Sequence, residues 1–227
     1  HQSRYVALCN VHSVVTASQS ADFGSVIRQA DMALPDGSPV AWALRREGFA
    51  KQQRINGPDL MWRYLAIAER IGQTVYFYGS TEATLEKLRQ RLATHFPNLR
   101  IAGTLSPAFR DLSAQEDQDH VNTINQSGAH VVFVGLGCPK QEAWMAQHRG
   151  RINAVMIGVG AALDYHAGTL RRAPVWMQKA GLEWLHRLAS EPRRLMKRYA
   201  STNSVFVGRM MKTWFVGHTP HKNGQSL

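Results

Sequence analysis

The chain has 227 residues, 44% of them hydrophobic and 19% charged, which excludes a disordered chain and fits one globular core with a small appendage. Two distant cysteines, Cys9 and Cys138, exclude a disulfide framework, and no apolar run approaches the roughly 18 residues of a membrane-spanning helix. The net charge of +11 is concentrated near one end, since residues 1–139 carry +1 and residues 140–227 carry +10.

Apolar and amphipathic segments alternate along the chain. Strands are predicted near residues 5–9, 31–34, 74–79, 99–103, 131–136 and 154–159. Helices are predicted near residues 19–29, 38–47, 58–72, 81–96, 113–127, 139–149 and, with breaks, 175–216. This order predicts an α/β fold with a mainly parallel, Rossmann-like sheet flanked by helices.

Two aspartates stand at turns that precede predicted helices. Asp36 follows a strand in ALPDGSPV, between Pro35 and Gly37. A partly desolvated carboxylate at the end of a strand can act as a general base, although a helix cap or turn explains the same residue. Asp59, in INGPDLMWR, follows Pro58 at a helix start, where capping and the helix dipole explain it.

Two glycine-rich joints link apolar strands to helices. VVFVGLGCPKQEAW contains Gly135 and Gly137, with Pro139 predicted at the first helical position and Lys140 beside it, and AVMIGVGAALDYHAG contains Gly158. A helix N-terminus offers backbone N–H groups to an anion. Because neither joint has the third glycine of the dinucleotide fingerprint, both favour a nucleotide diphosphate held at neighbouring strand ends. An ordinary strand–turn–helix joint is the alternative.

Asp117 and Asp119 superficially match an Asp-x-Asp metal motif in SAQEDQDHV. They follow Ser113 and Glu116, which predict a capping box, so we interpret them as the solvated first turn of a helix. No histidine has ligand spacing near a carboxylate cluster, and neither a nucleophile elbow nor a Walker lysine loop is present. The sequence therefore predicts no metal and no cofactor.

The last third of the chain mixes cations with large apolar side chains on predicted helices, from RRAPVWMQKAG to GRMMKTWF. Such basic amphipathic helices are typical of proteins that lie on anionic bilayers. A phosphorylated substrate also fits the charge, as does a core-packing helix with a solvated basic face. Nucleic acid ranks third, because no recognisable nucleic-acid-binding module accompanies the charge.

Six motifs stand in one order: LPDG, the RxxGxDL pattern from Arg54 to Leu60, VGLGCPKQEAW, IGVGAALDYHAG, RRAPVWMQKAGLEWLHRL and EPRRLMKRY. Over about residues 5–200 they closely resemble the WecG/TagA/CpsF glycosyltransferases, glycosyltransferase family 26. The resemblance implies an enzyme of bacterial cell-surface polysaccharide synthesis, peripheral on the cytoplasmic face of the plasma membrane. Such enzymes transfer a sugar from a UDP-sugar to a polyprenyl-diphosphate-linked sugar with inversion and without a metal.

The resemblance also implies a domain organisation and a set of partners. An α/β UDP-sugar-binding catalytic core is expected over residues 1–170, a helical membrane- and diphosphate-binding appendage over 171–217, and a flexible tail over 218–227. The implied partners are the UDP-sugar donor, the lipid-linked acceptor and the anionic inner membrane surface, without nucleic acid. A homo-oligomer is left open.

Individual residues match positions of the family's motifs. Asp36 matches the proposed catalytic base, Arg54 an arginine that meets the diphosphate or the acceptor, and Gln141 a pocket position near the transferred sugar. Three appendage cations would close over the diphosphate in place of a divalent ion: Arg187, Arg194 and Lys197. The other predicted substrate-binding positions are Asn10, Gly37, Gly57, Gly79, Gly135, Gly137, Lys140, Gly158 and Asp164.

Leu8 stands where many members of the family have a threonine before the first helix. The donor is therefore left open among UDP-glucose, UDP-N-acetylmannosamine and its uronic acid. Two other function classes are also left open: a sugar-nucleotide-binding protein without catalysis, and a basic nucleic-acid-binding α/β protein.

Overall fold

The structure is a computed structural model that describes residues 2–215 of the chain. Six strands form one sheet: β1 (Arg4–Cys9), β2 (Met32–Pro35), β3 (Thr74–Gly79), β4 (Arg100–Leu105), β5 (Val131–Gly135) and β6 (Val155–Gly158). Their spatial order is β2-β1-β6-β5-β3-β4, and every pairing is parallel. The predicted α/β fold with a mainly parallel sheet is confirmed.

Helices connect the strands and follow the last one. Those of the first half are α1 (Val11–Gln19), α2 (Ala21–Arg28), α3 (Ser38–Arg46), α4 (Gly57–Ile71) and α5 (Glu82–His95). Those of the second half are α6 (Ala114–Gln126), α7 (Lys140–His148), α8 (Ala162–Ala167), α9 (Val175–Lys179), α10 (Glu183–Ser190) and α11 (Pro192–Phe215). The predicted tail, 218–227, lies outside the described residues.

Both faces of the sheet are buried, as expected for parallel strands. Because side chains alternate along a strand, Val75 and Phe77 of β3 join one core, which also contains residues of α4, α5 and α8. Tyr76 and Tyr78 of the same strand join the opposite core, with residues of α6 and α7. The three layers thus leave only the ends of the strands open to ligands.

The connections that leave the neighbouring strands β3 and β5 run in opposite directions across the sheet. From β3 it proceeds through α5 to β4 at one edge, whereas from β5 it proceeds through α7 to β6 on the other side. Adjacent parallel strands whose connections depart in opposite directions leave a crevice outside their carboxyl ends. Gly79 and Gly135 are paired at that position.

The three C-terminal helices lie beside the first strands. α11 packs on α1 and α10, and α10 also contacts α9. Within residues 2–215, no helix combines the length and the apolar content that crossing a bilayer would require. Several large apolar side chains of this region are nevertheless exposed: Val175, Trp176, Trp184, Leu185, Met196, Val207 and Met211.

Candidate active site

A cavity of about 380 Å³ opens at the carboxyl ends of β1 and β2. Its floor includes Asn10 and Asp36, which directly follow these two strands, and Arg54 and Asn56 form one side. The C-terminal helices close the other side with Glu183, Trp184 and Arg187 of α10 and with Thr202, Asn203, Phe206 and Val207 of α11. The cavity therefore joins the predicted core to the predicted appendage.

Phe206 and Val207 of α11 line the cavity wall, although Val207 is also partly exposed. The amphipathic pattern of the last third of the chain predicts such apolar side chains to face a membrane. The reason for the difference is that α11 packs along α1, which turns this part of the helix toward the strand ends.

Asp36 is held at the cavity by the backbone on both sides. Its N–H donates to the carbonyl of Cys9 at 2.9 Å, and Gly37 then adopts φ 94°, a conformation that favours glycine. Gly37 is the residue that precedes α3, and no side chain caps this helix. The capping explanation therefore does not account for Asp36, whose carboxyl group faces the cavity.

The pKa of Asp36 is raised to about 6, chiefly by burial and also by the negative charge of Glu183. The guanidinium groups of Arg54 and Arg187 oppose this shift, as does a hydrogen bond with the Asn10 side chain. A carboxyl group with this pKa is ionised at neutral pH yet basic enough to accept a proton during a reaction.

Asn10 and Gly57 shape the cavity through local contacts. The Asn10 side chain accepts a hydrogen bond from the N–H of Ser13 at 3.1 Å and so begins α1. A Cβ atom at Gly57 would lie 2.8 Å from the carbonyl oxygen of Val159, so only glycine allows α4 to begin this close to the turn after β6. Leu8 is buried beside the same turn, 3.4 Å from that Cβ position.

Four charged residues form an ion-pair chain beside the cavity, which we call the charge bridge: Arg54, Glu183, Arg172 and Asp59. Arg54 pairs with Glu183, and its other terminal nitrogen donates to the carbonyl of Gln178 at 3.2 Å. Arg172 donates to Glu183 at 3.3 Å and to Asp59 at 2.5 Å. The sequence motifs contain Arg172 and Glu183 but predict no role for either, although Glu183 is one of only four acidic residues after position 139.

Gly79 and Asp164 lie at the crevice between the carboxyl ends of β3 and β5. Gly79 has φ 119°, and a Cβ there would lie 2.7 Å from the carbonyl group of Gly135. Ser80 follows in a left-handed conformation, φ 59°, and its hydroxyl donates to Asp164 at 3.0 Å. The predicted glycines therefore let two strand ends approach closely, and Asp164 reaches the same edge from α8.

Gln141 is buried between the two glycine-rich joints. Its side-chain oxygen accepts hydrogen bonds from the N–H groups of Gly137 at 3.3 Å and Gly160 at 3.1 Å. Its amide donates to Glu142 at 2.8 Å, and a Cβ at Gly158 would lie 3.1 Å from the same amide nitrogen. The N–H groups of Gly137 and Gly160, which lie in the joints predicted to bind an anion, therefore donate to Gln141 instead.

The helix that follows β5 begins one residue later than predicted. Pro139 is the residue that precedes α7, and Lys140 is its first helical residue, with an exposed side chain. Arg187 lines the cavity, and its side chain lies 3.9 Å from that of Glu191, the residue that directly follows α10. The side chains of Arg194 and Lys197 lie outside the described part of the chain.

The Asp-x-Asp sequence lies in the first turns of α6, and the Ser113–Glu116 capping box is confirmed. Asp119 is exposed, as expected, but Asp117 is partly buried and pairs with His148 at 3.0 Å and with Arg151 at 2.8 Å. Asp117 therefore ties α6 to α7. Among the described residues, no three His, Cys, Asp or Glu side chains are grouped as metal ligands.

Comparison with known proteins identifies the chain's relatives. The model of the Glycosyl transferase WecG/TagA/CpsF family matches residues 1–219. A Bacillus spizizenii protein named N-acetylglucosaminyldiphosphoundecaprenol N-acetyl-beta-D-mannosaminyltransferase is 28% identical over 226 residues, which cover 99% of this chain and 85% of that protein. A Bacillus subtilis protein of the same name is 29% identical over 190 residues, or 83% of this chain and 72% of that protein.

Proposed function

The chain belongs to the WecG/TagA/CpsF glycosyltransferase family, and from this membership we propose that it moves a hexose-type sugar from a UDP-sugar to a polyprenyl-diphosphate-linked sugar with inversion. The names of the two Bacillus relatives support N-acetylglucosamine on the acceptor and N-acetylmannosamine as the transferred sugar. UDP-N-acetylmannosamine is therefore the first donor to test, before UDP-glucose and the uronic acid.

The observation that carries the proposal is the carboxyl group of Asp36, which faces the cavity with its pKa raised to about 6. In a direct displacement, the acceptor hydroxyl oxygen forms a bond to the anomeric carbon as its proton passes to Asp36. The bond from the anomeric carbon to the diphosphate breaks, and its electron pair leaves with UDP. A single displacement inverts the anomeric configuration.

The leaving UDP gains negative charge, and cations near the cavity can stabilise it. Arg54 and Arg187 line the cavity, and the motif assigns Arg194 and Lys197 to the same task. The crevice between the ends of β3 and β5, with Gly79 and Gly135, is where an open parallel sheet binds a nucleotide. We propose that Asp164, bonded to Ser80 at this crevice, lies near the nucleoside.

Gln141 acts in this proposal as a positioning residue. Its side chain holds the turns after β5 and β6 together, and the proposed donor would lie over these turns. Its own polar atoms are bonded to Gly137, Gly160 and Glu142, so its contribution to the transferred sugar acts through the shape of the joints.

The acceptor carries a polyprenyl chain, and the exposed apolar side chains of α9–α11 support binding at a membrane surface. Val175, Trp176 and Met196 are each more than 60% exposed. Together with the excess of Lys and Arg after residue 139, they fit a peripheral position on an anionic inner membrane. The cavity wall formed by α10 and α11 would then open next to the bilayer.

A screen of UDP-sugars against short-chain polyprenyl-diphosphate-sugar acceptors, with products read by mass spectrometry, tests the proposal. We expect one hexosyl unit to be added, with UDP released in equal amount. UDP-sugar binding without any transfer would instead support a non-catalytic binding protein. Steeply salt-dependent binding to any DNA duplex, without transfer, would support the nucleic-acid alternative.

Transfer should persist in EDTA, because the proposed cations replace a divalent ion at the diphosphate. A variant with both Asp117→Asn and Asp119→Asn should keep its activity. It should also unfold more easily by about 1–3 kcal/mol, since Asp117 loses the charge that pairs with His148 and Arg151. Activity in EDTA and the midpoint of urea unfolding measure the two effects. Loss of transfer in EDTA with recovery in Mg²⁺ or Mn²⁺ would contradict the metal-independent mechanism.

A further inference from the structure

We propose that Arg172 and Glu183 are positioning residues, which fix the guanidinium group of Arg54 at the cavity wall and hold α10 over Asp36. This inference rests on the proposed function. Arg172 and Glu183 are not assigned to the reacting groups themselves, because the charged groups of both side chains are already paired within the charge bridge.

The carboxylate of Glu183 joins two arginines from different parts of the chain. One oxygen pairs with Arg54, which follows α3, and the other accepts from the Nε of Arg172 at 3.3 Å. All three side chains are mostly shielded, with exposed fractions of 19% for Arg54, 25% for Arg172 and 28% for Glu183. Partial burial makes these charge-assisted bonds stronger and more directional than pairs on an open surface.

Arg172 is anchored to the rigid start of α4. It donates to Asp59 at 2.5 Å and to the side-chain oxygen of Asn56 at 3.3 Å. Asn56 in turn caps α4 and donates to Asp59 at 2.6 Å. Burial alone would raise the pKa of Asp59, but the hydrogen bonds from Arg172 and Asn56 lower it below its usual value, which keeps the anchor charged.

Glu183 is the first residue of α10, so its bonds fix where this helix begins. Trp184 follows it directly, and Arg187 lies one helical turn further along, both in the cavity wall. Arg54 is tied to the preceding helix, α9, as well, through the carbonyl of Gln178. If the bridge is broken, Arg54 gains rotational freedom and α10 loses its ion-pair link to the start of α4, although its packing on α11 remains.

The bridge also sets the electrostatic environment of Asp36. The charge of Glu183 raises the pKa of Asp36, whereas Arg54 and Arg187 lower it. Among the side chains that the structure describes, the charged or titratable groups that line the cavity or interact electrostatically with Asp36 are Cys9, His12, Arg54, Tyr165, Glu183 and Arg187. Removing the charge of Glu183 while keeping its shape should therefore move the titration of Asp36 to lower pH.

The test compares Glu183→Gln and Arg172→Met with the control Glu116→Gln. The control makes the same chemical change in another arginine–glutamate pair, that of Arg110 and Glu116, which is far along the chain from the cavity residues and where glutamine preserves the capping box. Two readouts need no substrate. Carbon-13 NMR of labelled aspartate follows the Asp36 carboxyl group, assigned by its absence in Asp36→Asn, and amide hydrogen exchange follows residues 172–190.

We expect Glu183→Gln to lower the midpoint of the Asp36 titration and Glu116→Gln to leave it unchanged. Exchange across residues 172–190 should be faster in both bridge variants and unchanged in the control. Transfer by Glu183→Gln should fall about ten- to a hundredfold, the range expected when a reacting group is misplaced. A variant that combines Glu183→Gln with Arg172→Met should show a smaller fold-loss of transfer than the product of the fold-losses of the two single variants, because both changes break the same chain of contacts.

An unchanged Asp36 midpoint in a folded Glu183→Gln variant would overturn the proposal, whatever its activity. Faster exchange without a titration shift would also overturn it, leaving the bridge as a purely structural contact. The wild-type protein could also transfer no sugar while the Asp36 midpoint and the exchange of residues 172–190 change as expected in the bridge variants. That result would support the role of the charge bridge and contradict the proposed function.

Discussion

Replacing Asp36 by asparagine is expected to lower the rate of sugar transfer by about a hundredfold or more while UDP binding changes little. The amide keeps the size of the carboxyl group but cannot accept the proton of the attacking hydroxyl, and general-base catalysis contributes an effect of this order. The charge at the cavity floor also disappears, yet the proposed nucleotide contacts lie at β3 and β5. Steady-state transfer assays and calorimetric titration with UDP measure the two quantities.

The same substitution should make the folded protein more stable at neutral pH. Because Asp36 has a pKa of about 6 in the folded state against 3.8 for the unperturbed group, folding favours its protonated form. The free energy of unfolding therefore falls as pH rises from about 4 to 6, and above pH 6 the ionised carboxylate destabilises the fold by a constant amount. Removing it should raise the free energy of unfolding by on the order of 1–3 kcal/mol at pH 7.

Urea unfolding of wild type and Asp36→Asn at pH 4 and pH 7 checks this sign. The difference between the two proteins should be clear at pH 7 and small at pH 4. Asp111→Asn is the control, since Asp111 is exposed in the loop before α6 and should change neither activity nor stability. Near wild-type turnover by Asp36→Asn would assign the base to another carboxyl group, with Asp164 the next to test.

The strands were predictable because both faces of a parallel sheet bury long apolar, β-branched segments, which periodicity detects directly. All six predicted strands are confirmed within a few residues. The helix α1 was missed, because VHSVVTASQ is rich in β-branched residues that favour strands. Its cap by Asn10 and its packing against α2 and α11 override that preference. No range was predicted for the short α8 either, since six residues carry little periodicity, although the glycine-rich joint before it indicated a helix start.

The candidate site divides in a similar way. Asp36 and Gly37 could be predicted because a strand, a carboxylate and a positive-φ glycine are adjacent in the sequence. The charge bridge could not, because its contacts span more than 100 residues of chain: Glu183 meets Arg54, and Arg172 meets Asp59. Only the fold brings α10 back over the first two strands. Gln141 is a third case. The motif predicts that this residue belongs to the site, but its hydrogen bonds to Gly137 and Gly160 depend on how the two glycine-rich joints approach each other.

The cations of the C-terminal region have two proposed tasks, binding the diphosphate and binding the membrane, and these tasks should separate. Arg187→Ala removes a guanidinium group from the cavity wall. Loss of one charge-assisted bond to a phosphate costs about 1.5–3 kcal/mol, so transfer to a soluble acceptor analogue should fall about 10- to 100-fold. Adding Arg194→Ala should abolish it. Binding to anionic liposomes should persist, because most of the exposed cations and apolar side chains remain.

Arg193→Ala is the matched control, since Arg193 is exposed on α11 and does not line the cavity. It should leave transfer to the soluble analogue unchanged. It should weaken liposome binding only slightly, by about 1 kcal/mol for one charge near an anionic surface, and less at high salt. Transfer assays and liposome co-sedimentation over a range of salt concentrations distinguish the short-range contact from the long-range attraction.

Removing residues 209–227 should have the opposite effect to Arg187→Ala. The cut takes away Met211, which is exposed, and the cations Arg209, Lys212 and Lys222, but it spares Phe206 and Val207 of the cavity wall. Liposome binding should therefore weaken, by about 1 kcal/mol for each lost cation near the surface, while transfer to the soluble analogue survives. A cut that began at residue 204 would open the cavity and confuse the two tasks. If Arg187→Ala and the 209–227 truncation each lose transfer and liposome binding in parallel, the C-terminal helices act as one folded unit, and the proposed division between diphosphate and membrane is wrong.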